Sequence, residues 1–450
     1  MRIVRDVEEA KRTVLRRVPL EGTQLSPVVA ERIKDTFGAS LSPSEAVGRI
    51  LEDVRLRGDA ALYDWTERLD RVRPEQLEVP GSVVRGASQR LAPTLVEALR
   101  LAAERVAAFH RRRSLRPWMD FSRSGTLGQV IVPLDRVGVY APGGRAAYPS
   151  SILMQVVPAK VAGVREVIVT SPPGANGLPA DVTLAACDIA RVDRVFAVGG
   201  AQAIAAMAYG TESVPRVDKV LGPGNIFVAL AKRQVFGEVG IDQIAGPTET
   251  VIIADSSAKA DVVALDLLAQ AEHDPLASAI LITTSDDLAT EVEKAVEEHL
   301  KELPTSAVAA ESLDRNGGIV IVDSLEMAIE LANGYAPEHL CLVTDNPWSL
   351  VPLVRNAGGV FLGADSPEVM GDYVAGPSHV MPTGGTARFF SPLSSRDFVK
   401  VIPLVGLSQQ GLEELGPAAA AIADAEGLAA HARAVRVRLT GKCTRRRRCT

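Results

Sequence analysis

Short apolar segments rich in Val and Ile alternate with segments of helical periodicity from Arg136 to Gly363. The first pair reads RVGVYAP and ILMQVVPAKVAG, and a second run of such pairs begins with ETVIIAD after about residue 249. Strands that alternate with helices form parallel sheets covered by helices on both faces. The pattern therefore predicts an α/β protein with two doubly wound domains, although no residue-level repeat relates the two runs.

The segments that flank this pattern have a different character. Residues 1 to about 115 are predicted to be helical, and the sequence SPSE from Ser42 supplies an N-cap and a first-turn proline for one helix. A long amphipathic stretch is interrupted near Pro93. Beyond about Pro392, one strand and two helices up to about Arg438 predict a small C-terminal appendage.

Composition excludes several classes of partner. The net charge of −6 gives no basic surface for nucleic acid or an anionic membrane. No apolar run reaches the roughly 18 residues of a membrane span, and the first residues lack the apolar core of a signal peptide. The four cysteines form no CxxC pair, which predicts a reducing, cytoplasmic compartment.

Four consecutive arginines, Arg445 to Arg448, stand between Cys443 and Cys449. A nucleic-acid patch and a redox pair are the functional interpretations. A solvated tail is favoured over both, because terminal charge runs usually lack fixed structure.

The stretch from Gly371 to Gly385 reads GDYVAGPSHVMPTGG. Its glycines and prolines interrupt helices and strands, so a loop is predicted. Asp372 and His379 are residue types that bind metals or carry protons. A surface turn with solvated polar groups is the alternative.

Gln270 and His273 stand three residues apart at the predicted end of a helix, and so on one helical face. Nitrogen and oxygen donors at this spacing are compatible with a metal site, although Gln is an unusual zinc ligand. A histidine satisfied by solvent at a helix end remains the alternative.

Glu338 and His339 form a carboxylate–imidazole pair just before the apolar strand LCLV. Two proton acceptors of different basicity suit acid–base catalysis, and a solvated loop is the alternative. Cys341 alternates within the apolar strand, which favours a buried structural thiol over a nucleophile.

Two glycine-containing turns, VGGAQ from Val198 and GPGN from Gly222, each follow a strand and open a helix. Backbone N–H groups at such positions bind phosphate, although no GxGxxG motif is present. In the appendage, Glu426 and His431 lie about 140° apart on a helix. An ordinary solvated helix is favoured there from the residues alone.

Taken together, eight motifs give the chain a resemblance to the histidinol dehydrogenase family from about Ser44 to Arg438. They are RVGVYAPGGRAAYPSSILM, VGGAQAIAAMAYGT, GPGNIFVALAK, AGPTE, LLAQAEHD, APEHL, GDYVAGPSHVMPTGGTARF and EGLAAHA. The resemblance implies two incomplete Rossmann-like domains with small N- and C-terminal extensions in an intertwined homodimer. The expected boundaries are 1–30 for the N-terminal extension, 31–135 with 250–392 for the first domain, 136–249 for the second, and 393–450 for a dimerisation appendage.

The resemblance also implies an activity, which is NAD-dependent oxidation of L-histidinol to L-histidine through bound L-histidinal, the last steps of histidine biosynthesis. It implies one Zn²⁺ per subunit, NAD and active sites shared between subunits. The implied zinc ligands are Gln270, His273, Asp372 and His431, the last from the partner chain. The implied substrate contacts are Thr248, Gln270, His273, His339, Asp372, His379, Glu426 and His431. The implied NAD contacts are Tyr140, Gln202 and Asn225, and the implied acid–base pair is Glu338 and His339. Thr248 stands where the family commonly has Ser, and the hydroxyl is kept.

Three other functions compete with this interpretation. A paralogue that oxidises another hydroxyl substrate, such as a sulfonated diol, is disfavoured by residues that suit an amino-imidazole substrate, namely Gln270, His273, His379, Glu426 and His431. A zinc hydrolase with Glu338 as the base is disfavoured by the two glycine-opened helices. A nucleotide- or nucleic-acid-binding module would act through the arginine tail, and deletion of that tail would test it.

Overall fold

The computed structural model describes residues 1–17, 27–143 and 147–440. The arginine tail and its two flanking cysteines lie outside the described residues. The chain forms two compact units, the first from Met1–Arg113 with Leu134–Phe398, and the second from Ser114–Pro133 with the segment that begins at Val399. In the described part of the chain, no helix is both long and apolar enough to span a bilayer.

The strands of the described residues are β1 (Ile3–Val4), β2 (Trp118–Ser122), β3 (Gly125–Pro133), β4 (Arg136–Tyr140), β5 (Glu166–Ser171), β6 (Arg194–Ala197), β7 (Lys219–Leu221), β8 (Gly240–Ile241), β9 (Glu249–Ala254), β10 (Ser278–Thr283), β11 (Gly318–Ile321), β12 (His339–Val343), β13 (Gly359–Leu362) and β14 (Val399–Leu407).

The α-helices of the same residues are α1 (Val7–Arg12), α2 (Pro27–Phe37), α3 (Pro43–Arg57), α4 (Asp59–Asp70), α5 (Gly81–Gly86), α6 (Pro93–Arg112), α7 (Pro149–Ala162), α8 (Asp181–Ile189), α9 (Gly200–Tyr209), α10 (Ile226–Val235), α11 (Ala260–Ala271), α12 (Asp286–Leu300), α13 (Ser306–Asn316), α14 (Leu325–Tyr335), α15 (Glu368–Tyr373), α16 (Gln409–Ala425) and α17 (Ala429–Leu439).

The first unit contains two parallel sheets with the same winding. The larger sheet has the order β1-β11-β10-β9-β12-β13, and the smaller has the order β6-β5-β4-β7-β8. Apart from β1, each sheet places its five strands in the order third, second, first, fourth and fifth along the chain. This is a Rossmann-like order with one strand fewer than the full fold. The predicted α/β class with two doubly wound sheets is confirmed.

Alternate residues of the larger sheet pack into separate cores on its two faces. Ile252 and Leu281 belong to one core, and their neighbours Val251 and Ile280 belong to the other. Helices α3 and α4 contribute to a core on one face of the smaller sheet. A sheet buried on both faces needs apolar residues at successive positions, which is why these strands read as continuous Val and Ile runs.

The predicted capping of α3 is confirmed. The Ser42 side chain accepts a hydrogen bond from Glu45 N, and the Glu45 carboxylate accepts one from Ser42 N at 2.8 Å. Pro43 occupies the first helical position, where its missing N–H costs nothing. This reciprocal capping explains why the helix begins where the sequence predicts.

Two local predictions are wrong. The segment WSLVPLVRNA has apolar residues at helical spacing, which predict a helix, but it forms two short 3-10 turns, Pro347–Ser349 and Val351–Leu353, because Pro352 has no N–H for a helical hydrogen bond. Helix α15 runs through Gly371 and includes Asp372, which the sequence placed in a loop. Gly371 packs there against Phe361, and a Cβ at this position would lie 2.5 Å from the ring.

The second unit is a three-stranded antiparallel sheet, in the order β14-β3-β2, with the helical pair α16 and α17. Both helices predicted beyond Pro392 are present, whereas β2 and β3 were not predicted. A small core of Ala420, Ala423 and Ala432 joins the helices. The turn between β2 and β3 packs on the start of α16, where Ser408 N donates to Ser124 O at 3.1 Å.

Candidate active site

The carboxylate–imidazole pair lies at the amino end of β12. Ala336 ends α14 in the left-handed conformation (φ 55°), and Pro337 then turns the chain so that Glu338 precedes the strand and His339 begins it. Glu338 is 7% exposed and His339 is 3% exposed. A solvated loop, the alternative considered from the sequence, is therefore excluded.

Backbone atoms of Glu249, at the start of the neighbouring β9, contact both members of the pair. Glu249 N donates to the Glu338 carboxylate at 3.1 Å, and His339 Nδ1 lies 3.2 Å from Glu249 O. A carbonyl oxygen only accepts, so this contact places the imidazole proton on Nδ1. The other ring atom, Nε2, lies 3.5 Å from Asp372 Oδ1. It is buried and has no well-formed hydrogen bond to any described residue.

Burial and charge set the proton affinities of these groups. Burial raises the pKa of Glu338 to about 7, against the opposing effects of His339 and of the Thr248 hydroxyl. Burial alone would lower the pKa of His339, but the carboxylates of Glu368, Glu338 and Asp372 outweigh it and raise that pKa to about 10. The pair thus combines a carboxyl that titrates near neutrality with a strongly basic imidazole.

The Thr248 hydroxyl connects Glu338 to Gln270. Its oxygen lies 2.5 Å from the Glu338 carboxylate and 2.5 Å from the Gln270 amide. The amide satisfies its neighbours best with its nitrogen towards Glu368, at 2.9 Å, and its oxygen towards Thr248 and Glu249 N. In that orientation the amide oxygen only accepts, so if the single Thr248 proton goes to Gln270, Thr248 can accept only from a protonated Glu338 carboxyl; if the proton goes to Glu338, the contact with the amide oxygen has no proton.

The predicted metal ligands of the first unit converge only in part. Gln270 is buried in the last turn of α11, but the helix ends at Ala271, so His273 lies in the following turn and is exposed. The charge of His273 still acts on Asp372 and His379. The described residues contain no ready-made group of three or more His, Cys, Asp and Glu side chains around one metal position.

His379 connects the two α/β halves of the first unit. Its Nδ1 lies 2.8 Å from the backbone oxygen of Asp372, and its Nε2 lies 3.2 Å from the hydroxyl of Ser151 at the start of α7. Burial lowers the pKa of His379, which favours the neutral imidazole. The site therefore lies where the amino edge of the larger sheet faces the carboxyl edge of the smaller one.

The three predicted nucleotide contacts lie beyond the carboxyl ends of strands in the smaller sheet. Tyr140 ends β4, Gln202 follows β6 on α9, and Asn225 follows β7 as the N-cap of α10. The strand order reverses between β4 and β7, and ligands of open α/β sheets bind at such a switch point.

The local geometry there combines close backbone packing with unpartnered polar atoms. The Tyr140 hydroxyl accepts a hydrogen bond from Gly200 N at 3.3 Å. Both polar atoms of the Gln202 amide are fully buried and have no hydrogen-bond partner among the described residues. Gly222 has φ 123°, and a Cβ there would lie 2.2 Å from Tyr140 O. The chain can pack this closely against Tyr140 only because position 222 is glycine.

With this geometry established, comparison with known proteins gives a clear result. A family model described as histidinol dehydrogenase matches residues 38–439. The chain belongs to the histidinol dehydrogenase family.

Individual relatives within the histidinol dehydrogenase family are similar over nearly their whole length. A histidinol dehydrogenase from Deinococcus radiodurans is 54% identical over 91% of this chain and 94% of its own. One from Syntrophotalea carbinolica is 51% identical over 88% of this chain and 92% of its own. The crystal structure of histidinol dehydrogenase from Elizabethkingia anophelis superimposes with a TM-score of 0.90 at 31% identity, over 98% of each chain.

In this histidinol dehydrogenase family member, two of the predicted site residues lie in the second unit. Glu426 follows the last residue of α16, and His431 lies in the first turn of α17. Both side chains are exposed. Cys341 is buried, and burial raises the pKa of its thiol, so the structural role predicted for it is confirmed.

Sequence reasoning missed Glu249, Glu368 and Ser151. Glu368 is 1% exposed, accepts a hydrogen bond from Thr250 Oγ1 at 2.6 Å and has a pKa raised by burial to about 7. For Glu249, the available signal was a glutamate at the start of ETVIIA, a strand whose last four residues are apolar. A buried carboxylate needs a partner, so such a residue indicates a polar network.

Proposed function

We propose that this chain oxidises L-histidinol to L-histidine in two successive hydride transfers to NAD, with L-histidinal held in the site between them. The observation that carries the proposal is the buried pair of Glu338 and His339, with the imidazole Nε2 directed towards Asp372. Family membership supplies the substrate class. The pair supplies one group for each half of the reaction.

Zinc fits the donor types present in the site. The amide oxygen of Gln270, the imidazole of His273 and the carboxylate of Asp372 would hold it, together with His431 of the partner subunit. Nitrogen and oxygen donors of this kind suit Zn²⁺. When bound, the ion supplies a positive charge that orients the substrate's imidazole and amine and offsets the carboxylates that raise the pKa of His339.

NAD fits the crevice at the switch point of the smaller sheet. The unpartnered amide of Gln202, the Tyr140 hydroxyl and the side chain of Asn225 would contact it. The Asn225 Oδ1 atom already accepts from Phe227 N and Val228 N, so its amide N–H groups are the ones that remain for the dinucleotide.

His339 serves the alcohol step. Its Nδ1 is held by the Glu249 carbonyl; with the surrounding carboxylates offset, the imidazole is neutral and its Nε2 accepts the hydroxyl proton as the hydride leaves the carbon that bears that hydroxyl. Loss of one proton and one hydride converts the alcohol to the aldehyde. His379 and Glu426 bind the polar end groups of the substrate and hold that carbon in place.

Glu338 serves the aldehyde step. With a pKa near 7, a large fraction of the carboxyl is ionised at neutral pH and can take a proton from water as the water adds to the aldehyde. The hydrate then loses a second hydride and its two hydroxyl protons to give the carboxylate. Because Glu338 is buried, the reactive aldehyde stays shielded from side reactions.

A homodimer with shared sites completes the proposal. The second unit exposes large apolar side chains on its sheet and on α16, which are Trp118, Phe121, Val405, Leu415 and Ile422. Exposed apolar surface of this kind favours association with a second copy. The domain boundaries expected from the resemblance, and a cytoplasmic location, belong to the same proposal.

The test is the stoichiometry of the purified, zinc-loaded protein with L-histidinol as the limiting substrate. We expect two NADH per L-histidinol and L-histidine as the final product. One NADH, or free aldehyde as the final product, would contradict a two-step site. A sulfonated diol serves as the control, and turnover of that compound in place of L-histidinol would identify the paralogous activity.

A further inference from the structure

Arg17 makes a dense set of contacts that the proposed mechanism does not use. It follows α1 on the N-terminal arm of the first unit and is bonded to Glu249 through both guanidinium Nη atoms, with Nη2 2.9 Å from Oε2. Its Nε donates to Tyr335 O at 2.8 Å, and Nη2 also reaches Ala336 O at 3.1 Å. The guanidinium carbon lies 3.9 Å from the centre of the Tyr335 ring.

These contacts hold the segments that carry the acid–base pair. Tyr335 and Ala336 form the turn that leads into Glu338. The backbone of Glu249 binds both Glu338 and His339. The Glu249 carboxylate, 6% exposed, also accepts from Gly384 N at 3.0 Å, which ties in the loop after His379. A planar fork that binds a carboxylate through two atoms fixes its orientation, which an ammonium group cannot do.

We infer that Arg17 is a positioning residue, which keeps Glu338 and His339 at their working distance from the substrate by fixing Glu249 and the turn before β12. The inference rests on the roles proposed for the pair. Arg17 touches neither reacting atom, so its loss affects the chemical step through geometry. A displacement of about 1 Å at a catalytic group can cost on the order of a hundredfold in rate.

The experiment compares Arg17→Ala, Arg17→Lys and Arg5→Ala in the zinc-loaded enzyme. Arg5 lies on the same arm and pairs with Asp286 at 2.7 Å, but that pair is exposed and remote from the site, so it is the matched control. We expect kcat to fall roughly tenfold to a hundredfold in Arg17→Ala and by less in Arg17→Lys. The KM values and the zinc content should stay close to wild type, and Arg5→Ala should match wild type throughout.

Two further measurements distinguish a positioning role of Arg17 from a purely structural one. Added guanidinium ion should restore part of kcat to Arg17→Ala and leave Arg17→Lys unchanged, because only the alanine variant leaves a space of the right shape. The pair Arg17→Met with Glu249→Gln removes the buried charges together, which is compatible with a stable fold. We expect that double variant to unfold near the wild-type temperature and to keep a low kcat.

Several outcomes would overturn the inference. They are wild-type kcat in both Arg17 variants, absence of guanidinium rescue, or recovery of kcat in the double variant. Should Arg17→Ala fail to fold, Arg17→Lys and the double variant carry the test. If the wild-type enzyme itself forms no NADH from L-histidinol, the proposed function has failed, which is a separate result seen before any variant is made.

Discussion

The pKa of Glu338 shows how a single position turns an ordinary carboxyl into a base that titrates near neutrality. Its backbone precedes a strand whose residues are all buried, and Glu338 itself is only 7% exposed, so the side chain has little access to bulk water. Loss of hydration disfavours the charged form and raises the pKa. Between the ordinary value and about 7, the folded protein therefore keeps a proton that the unfolded chain has lost.

Substitution of this carboxyl should separate the two half-reactions. We expect Glu338→Gln to slow oxidation of L-histidinal by about a hundredfold or more and to slow the alcohol step much less, since only the aldehyde step needs water activation. In the wild type, the aldehyde rate should rise with pH through about 7 as Glu338 ionises. The variant should lack that rise. Initial rates with each substrate across pH 5 to 9 measure both effects.

The comparison variant is His339→Asn, which should slow the alcohol step. Equal slowing of both half-reactions by both substitutions would show that the assigned division between Glu338 and His339 is wrong.

The residue types of the site were predictable from the sequence, and their environment was not. The Glu338–His339 pair is visible as a motif, but its burial depends on the two strands that flank β12, and one of them, β9, comes from a distant part of the chain. Glu249 contacts Glu338 and His339 through its backbone atoms, and backbone contacts leave no mark in the residue type.

At the scale of elements, the turn between β2 and β3 packs closely on α16. Of the glycines described in the second unit, Gly411 has the nearest neighbouring atom to where a Cβ would stand. A Cβ on Gly411 would lie 1.9 Å from Ser124 O. The Ser124 hydroxyl also donates to Glu414 at 2.8 Å. The helix can therefore approach the turn only with glycine at position 411.

Gly411→Ala should destabilise the protein despite the better helix propensity of alanine. Alanine gains about 1 kcal/mol over glycine in a helix, but a clash with backbone costs roughly 1–3 kcal/mol, so the net change should be unfavourable. Thermal unfolding measures it. Gly406→Ala is the control in the same unit, because a Cβ there meets nothing closer than 3.9 Å. A midpoint for Gly411→Ala equal to that of Gly406→Ala would contradict the packing argument.

The elements that sequence patterns missed have identifiable reasons. Strand β2 is exposed at every residue, so it lacks the alternation of buried and exposed positions that marks a strand. The segment from Trp348 has apolar residues at helical spacing, and its prolines overrule them. The strands of the two parallel sheets were predictable because burial on both faces demands unbroken apolar runs.

For the whole molecule, the proposed sharing of sites between subunits makes a quantitative prediction. His273→Ala and His431→Ala should each be inactive, because each removes one proposed zinc ligand. Unfolding the two variants together and refolding the mixture should restore about a quarter of wild-type activity. About half of the dimers are mixed by random pairing, and each of these has one intact site of two. An inactive mixture would show that each site is built within a single chain.

The order in which strands pair along the chain has a consequence for synthesis on the ribosome. Strand β3 pairs along its whole length with β14, and β1 pairs with β11. β3 therefore leaves the ribosome with only the short β2 beside it and keeps one edge unpaired while residues 134–398 are made. During that interval the nascent chain presents an open edge to every other nascent chain nearby. Crowded expression should thus favour aggregation through β3, and slower translation or a chaperone that covers that edge should favour the soluble protein.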